Sequence, residues 1–248
     1  MNFTDKIRKA SEENKSKTVL ALDLEGVDPD QLTTRSKTLL QSVGKYICAL
    51  KVNRQLVMSL GLHGVEPILA LAADLSLPTI MDAKLNDVGH TNEFMARSYF
   101  DAGFDAVIAS PVVGWENGLD TVFAQATSRG KAVILLVYMS NPGAEALYSL
   151  PGVHGNSVPK PVFEMLAEKA SEWKAQGVIV GATKPDIISR VRQIVGQKMA
   201  IFSPGVGEQG GDARKALDAG SSYLIVGRAI YKSPDPQRAA MEYRNAVS

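Results

Sequence analysis

The stretch Pro78-Thr79-Ile80-Met81-Asp82-Ala83-Lys84-Leu85-Asn86-Asp87 is an apolar run that ends in charge, and its reading decides the fold. A strand covered on both faces carries near-continuous apolar residues, without the alternation of a half-exposed sheet, and Pro78–Lys84 fits that description. Seven further runs share it: Thr18–Asp23, Tyr46–Lys51, Ala106–Ser110, Ala132–Val137, Gly177–Val180, Met199–Ser203 and Tyr223–Val226. Longer segments with helical spacing lie between them, such as Asn92–Asp101 and Val162–Gln176. Gly103, Gly177 and Gly220 stand where helix C-caps are expected. Strand–helix alternation with no break in composition indicates an α/β fold. Eight such units in 248 residues predict one (β/α)₈ TIM barrel over residues 1–248, since a doubly wound sheet usually has fewer strands. The irregular stretch Ser140–Lys160 is rich in Gly, Pro, Asn and Ser. A linker there would cut the barrel in half, so it reads as a long active-site loop.

Composition narrows the function. With 27 basic and 26 acidic residues the net charge is +1, which leaves no global footprint for nucleic acid or an anionic membrane. An anionic ligand must be held locally. Cys48 is the only cysteine, so no intrachain disulfide can form, and a reducing, cytoplasmic compartment is expected. The first residues, Met1 to Lys17, are charged from the first turn and lack an apolar signal core. No apolar run is expected to approach the roughly 20 residues that cross a bilayer.

Barrel enzymes place their chemistry at the C-terminal ends of the strands, so the strands that end in charge matter most. The first ends with Asp23, the second with Lys51, the third with Asp82 and Lys84 followed by Asp87, and the eighth with Gly227-Arg228. Asp82 and Lys84 are two apart on a strand and point to the same side. With Lys51 and Asp87 they can form an alternating Lys–Asp–Lys–Asp array in which each charge keeps its neighbours ionised. One Asp–Lys pair is more simply a structural ion pair that closes the barrel mouth; four charges at strand ends favour a site.

Gly205-Val206-Gly207-Glu208-Gln209-Gly210 matches GxGxxG literally, but it follows the seventh strand and does not open a mononucleotide-binding half. It reads as a glycine-rich lid whose N–H groups and Gln209 side chain can reach an anion. Gly227 lets a phosphate approach the backbone, and Arg228 adds a bidentate partner. Ser140 alone reads as a turn or cap residue, and no G-x-S-x-G elbow surrounds it. His63, His90 and His154 lack metal-ligand spacing and read as surface residues, and Cys48 as core.

Together these residues resemble the orotidine 5′-monophosphate decarboxylases. The matching pieces are Ala21-Leu22-Asp23, Leu50-Lys51-Val52, Asp82 through Asp87, Thr91-Asn92-Glu93, Met139 through Gly143, Ser203 through Asp212, and Val226-Gly227-Arg228-Ala229. The resemblance implies metal- and cofactor-free decarboxylation of orotidine 5′-monophosphate to uridine 5′-monophosphate (UMP) in pyrimidine biosynthesis. It implies that Lys84 protonates C6, that Asp82 lies against the departing carboxylate, and that Lys51 holds Asp82 and a ribose hydroxyl. Asp23 is implied to hold the ribose, Ser140 and Gln209 the base, and Gln209, Gly227 and Arg228 the phosphate. The loop from Pro204 to Asp212 is implied to close over the nucleotide. Asp87 and Thr91 are implied to reach the partner's nucleotide across a homodimer with shared active sites.

Two details depart from the commonest pattern. Gly89-His90 stands after Asp87 where a proline-containing segment is frequent, and Glu208 puts a negative charge in a phosphate loop, so its side chain is expected to point outward. The glycine is shared with metal-dependent cousins, the ketogulonate-phosphate decarboxylases and hexulose-phosphate synthases. Those place a glutamate for magnesium at the end of strand two; here the residue is Lys51, which repels a divalent cation. A catalytically silent phosphate-binding barrel is the remaining alternative, because function lives in the site and not in the fold.

Overall fold

The computed structural model describes residues 1–153 and 158–246. His154 and part of the loop predicted after the fifth strand lie outside them.

The eight apolar runs form parallel strands: β1 (Thr18–Leu22), β2 (Ala49–Asn53), β3 (Thr79–Leu85), β4 (Ala106–Ala109), β5 (Ala132–Tyr138), β6 (Gly177–Val180), β7 (Ala200–Pro204) and β8 (Tyr223–Val226). Each pairs with its neighbours in the chain, and β8 closes on β1 through Thr18 beside Leu224 and Leu20 beside Val226. The sheet has no free edge, and its strands are buried almost throughout, as their unbroken apolar character requires. The (β/α)₈ barrel is therefore as predicted.

The helices are α1 (Phe3–Glu13), α2 (Pro29–Val43), α3 (Arg54–Asp74), α4 (Gly89–Asp101), α5 (Asp120–Ser128), α6 (Glu145–Tyr148), α7 (Val162–Glu172), α8 (Pro185–Val195), α9 (Ala213–Asp218), α10 (Arg228–Tyr231) and α11 (Pro236–Ala246). α1 precedes the barrel and covers the N-terminal ends of the strands. Its Phe3, Ile7 and Ala10 are buried, and the Phe3 ring lies 6.3 Å from that of Phe202. Lys6 on its outer face bonds at 2.7 Å to Asp105, at the foot of β4. α2 begins where local chemistry dictates: Asp28 accepts from the backbone N–H groups of Asp30 and Gln31, and Pro29 takes the first turn, where its missing donor costs nothing.

Three expectations need correction. β2 starts at Ala49 because Gly44–Tyr46 forms a 3₁₀ turn, with the Tyr46 hydroxyl accepting from Gln237. Gly177 is the first residue of β6 and no helix cap: a Cβ there would meet the Phe202 ring at 2.7 Å. α7 instead is capped by Trp173, and Lys174 takes the left-handed conformation (φ 58°). Finally, α3, with 21 residues and an 18-residue window of mean hydropathy 1.6, is long and apolar enough by length and composition to cross a membrane, against the sequence reading. It is not one straight rod, because Gly61 leaves helical geometry (φ 69°, ψ 167°) and divides it. Its Leu56, Val65, Ile68, Leu69 and Ala72 are buried, as core-facing helix residues are.

The stretch after β5 carries its own short elements: a 3₁₀ turn at Pro142–Ala144, α6, and a hairpin pairing Pro151–Gly152 with Lys160–Pro161. Tyr148 anchors it on the barrel, its ring 5.4 Å from that of Tyr138.

Candidate active site

The period of two along a strand sends alternate residues inward. At the C-terminal mouth this brings Ala21 and Asp23, Lys51 and Asn53, and Asp82 and Lys84 into one pocket. Ile108, Leu136, Ile179 and Ile225 line it from the other strands. Charge is thus gathered on one apolar wall, where water screens it poorly.

Asp82 is the centre of that charge. One carboxylate oxygen accepts from the Lys51 ammonium at 2.8 Å and the other from the Lys84 ammonium at 2.6 Å. Burial works against the ionised carboxyl, but the two ammonium groups outweigh it and bring its pKa down to about 2. Lys51 is 5% exposed and also faces Asp23 at 3.6 Å. Burial alone would lower its pKa; Asp82 and Asp23 reverse that and raise it, so Lys51 stays an ammonium. Lys84 is 28% exposed and remains open to the pocket. One oxygen of Asp23 is buried with no hydrogen-bond partner among the described residues. That oxygen is the one facing Lys51 at 3.6 Å, so it holds an ion-pair contact without a hydrogen bond.

Lys84 sits on a break in the β3–β4 ladder, where the register shifts between Met81 and Leu85. Its backbone is left-handed (φ 46°), which costs a non-glycine residue about 1–2 kcal/mol. Such strain persists where surrounding structure over-determines it, and it clusters at functional sites.

The opposite wall comes from the loops after β5, β7 and β8. Ser140 is held by two glycines. A Cβ on Gly181 would lie 2.7 Å from the Ser140 Cα, and one on Gly205 would lie 3.0 Å from its Cβ. Pro204, Gly205, Gln209, Gly227 and Arg228 complete the lining. The glycine-rich loop folds on itself, Gly207 N–H donating to Gly211 carbonyl at 3.0 Å and Gly211 N–H to Gly205 carbonyl at 3.0 Å. Glu208 contradicts the expectation that it points outward: it lines the pocket and pairs with Arg228 at 3.0 Å, because Arg228 is the cation within its reach.

Of the eleven predicted site residues, Asp23, Lys51, Asp82, Lys84, Ser140, Pro204, Gln209, Gly227 and Arg228 share this pocket. Asp87 and Thr91 do not. Asp87 lies beyond β3, exposed beside Val112 and Leu147, and makes no ion pair among the described residues. The array within one chain is therefore Lys51–Asp82–Lys84 with Asp23, and Asp87 stands apart. Thr91 lies on the outer surface with His90 and Phe94. Two residues were given no role from the sequence. Asn53, two beyond Lys51, would have been placed in the pocket had β2 been extended past Lys51. Asn92 is fully buried and clamps the Asp87 turn, accepting from the Asp87 N–H at 3.2 Å and donating to the carbonyls of Asp87 and Gly118. Only tertiary burial shows that role.

A closed barrel with a lysine–carboxylate cluster at its C-terminal mouth and a Gly-rich loop and an arginine opposite defines a class, barrel enzymes acting on anionic small molecules. Comparison with known proteins gives the family. Residues 16–243 match the model of the orotidine 5′-phosphate decarboxylase / HUMPS family, and the chain belongs to that family. It is 35% identical over 228 residues to the orotidine 5′-phosphate decarboxylase of Methanosarcina barkeri, covering 92% of this chain and 93% of that one. Among solved structures, it is similar to the orotidine 5′-monophosphate decarboxylase of Methanocaldococcus jannaschii, complexed with inhibitor BMP (TM-score 0.79, 29% identity, 94% of this chain and 99% of that one). It is also similar to the Leishmania donovani OMP decarboxylase (TM-score 0.82, 26% identity, 100% and 99%).

Proposed function

We propose that this chain is a single-domain orotidine 5′-monophosphate decarboxylase that yields UMP and carbon dioxide in pyrimidine biosynthesis. The observation that carries the proposal is Asp82 held between two ammonium groups, one buried and one open to the pocket. Its closest support outside the site is the 35% identity to a decarboxylase over nearly the whole chain.

The bond from C6 to the carboxylate carbon breaks, carbon dioxide leaves, and the electron pair stays on C6. No electron sink delocalises that pair, so a preorganised cation must meet it in a poorly screened site. Lys84 supplies the proton at C6 and regains one from solvent. Asp82 keeps its charge at pH 7 and lies against the departing carboxylate, while Lys51 holds Asp82 in place. Asp23 accepts from a ribose hydroxyl, consistent with its place on the pocket wall beside Lys51. Ser140 and Gln209 meet the base, and Gln209, Gly227 and Arg228 the phosphate. Closure of the loop from Pro204 to Asp212 lets remote phosphate binding assemble the site.

Asp87 and Thr91 act across a homodimer on the partner's nucleotide. In support, both stand outside this chain's pocket, near exposed Val88, Phe94 and Val112. The enzyme works in the cytoplasm.

The family also includes the metal-dependent cousins. The Lys51 ammonium stands 2.8 Å from Asp82, on the carboxylate that a magnesium ion would need, so these residues do not fit that metal. The test is the loss of the orotate chromophore with purified protein in excess chelator. Rapid loss is expected; no loss, with magnesium-dependent activity on a sugar phosphate, would overturn the proposal.

A further inference from the structure

We propose that Glu208 tempers phosphate affinity: it is a built-in counter-anion for Arg228 that an incoming phosphate must displace. The inference rests on the reading of Arg228 as the phosphate ligand. Glu208 Oε2 lies 3.0 Å from Arg228 Nε, and both side chains line the pocket. The guanidinium that a phosphate would take is thus already paired, through Nε, with a carboxylate.

The backbone holds the pair in register. Gly207 has φ 81°, and a Cβ there would lie 2.7 Å from the Tyr243 hydroxyl and 3.3 Å from the Ala229 Cβ. The loop is therefore pressed against α10 and α11, which sets Glu208 beside the first residue of α10. The Tyr243 phenol registers the same proximity: burial raises its pKa first, and the negative charge of Glu208 adds to the rise.

The consequence is an exchange of anions on Arg228. A phosphate monoester carries about −1.5 to −2 at pH 7 and presents three acceptor oxygens, so it outcompetes one tethered carboxylate. A nucleoside without a phosphate, such as uridine, has no group that competes for Arg228 and leaves the pair in place. When the phosphate arrives, the Glu208 side chain leaves Arg228 while the loop that carries it closes over the ligand, which couples phosphate recognition to movement of the lid.

The pair is about two-fifths exposed on each side, and exposed pairs are weak, so releasing it tightens binding by about two- to fivefold. The experiment is calorimetry of UMP with the full chain, its Glu208→Gln and Arg228→Ala variants and the double variant, with uridine measured by competition. We expect Glu208→Gln to tighten UMP by about two- to fivefold, to leave uridine unchanged, and to give no gain in the Arg228→Ala background. A gain that persists without Arg228 means plain repulsion and overturns the exchange, as does a gain shared by uridine or no gain at all. If Arg228→Ala alone leaves UMP affinity unchanged, the phosphate reading of Arg228 has failed, and the proposal fails with it for that separate reason.

Discussion

Asp82→Asn removes one charge from the centre of the site and leaves Lys51 an ammonium buried beside an amide. A carboxyl whose pKa falls from 3.8 to about 2 on folding contributes about 2 kcal/mol at neutral pH. Breaking a buried ion pair from one side costs about 3–5 kcal/mol in general, and Asp23 at 3.6 Å from Lys51 softens it here. The two routes agree on a destabilisation of about 2–3 kcal/mol. The sign follows from the lowered pKa: the stabilisation is complete above the unfolded value and is lost as pH falls from about 4 through 2. At pH 3 about 1 kcal/mol of it has gone. The assay is urea unfolding followed by circular dichroism, wild type against variant, at pH 7 and pH 3. Asp105 and Glu164, whose pKa values are also lowered, are present in both proteins, so their acid sensitivity cancels in the difference. A gap that stays constant between the two pH values, or a variant as stable as wild type at pH 7, would refute the placement of Asp82 as an ionised carboxylate bridging two ammonium groups.

Lys84→Ala is expected to abolish turnover while UMP binding stays measurable by calorimetry; retained turnover removes Lys84 as the proton donor. Gly181→Ala drives a methyl into the Ser140 backbone, and overpacking of this kind costs about 1–3 kcal/mol. We expect a lower melting temperature together with a raised Michaelis constant, and an unaltered variant would show that the Ser140 turn yields freely. Phe94→Glu places a charge on the exposed apolar surface near Thr91 and is expected to shift the protein from dimer to monomer in sedimentation. A wild-type protein that sediments as a monomer would sink the shared-site reading.

Much of the barrel could be read from the chain because burial on both faces leaves a local mark. Eight apolar runs of strand length, separated by helical spacing, have few other solutions, and all eight became strands. Errors fell where local pattern and tertiary demand diverge. Tyr46 looks like strand, yet its hydroxyl is tied to Gln237 near the far end of the chain, and the backbone there takes a 3₁₀ turn. Gly177 follows a helix and so resembles a cap; what selects glycine is the Phe202 ring on the adjacent strand. The composition of α3 suits a membrane helix, and only the break at Gly61 and the packing of Ile68 and Leu69 against the barrel give it another explanation.

By itself the sequence determined which residues could reach the mouth, since side-chain alternation along β2 and β3 is a local property. That was enough to bring Lys51, Asp82 and Lys84 together and to point to their family. Only the tertiary structure decided the pairing: each Asp82 oxygen to a different ammonium, Asp23 facing Lys51 at 3.6 Å without a hydrogen bond, Asp87 set apart from the array. Those outcomes depend on distances between strands and on how far water is excluded, which no local pattern encodes. Glu208 is the clearest case. Charge alone argued that it should turn away from an anion site, yet the loop's contact with α10 and α11 places it on Arg228, where a carboxylate and a guanidinium attract at 3.0 Å.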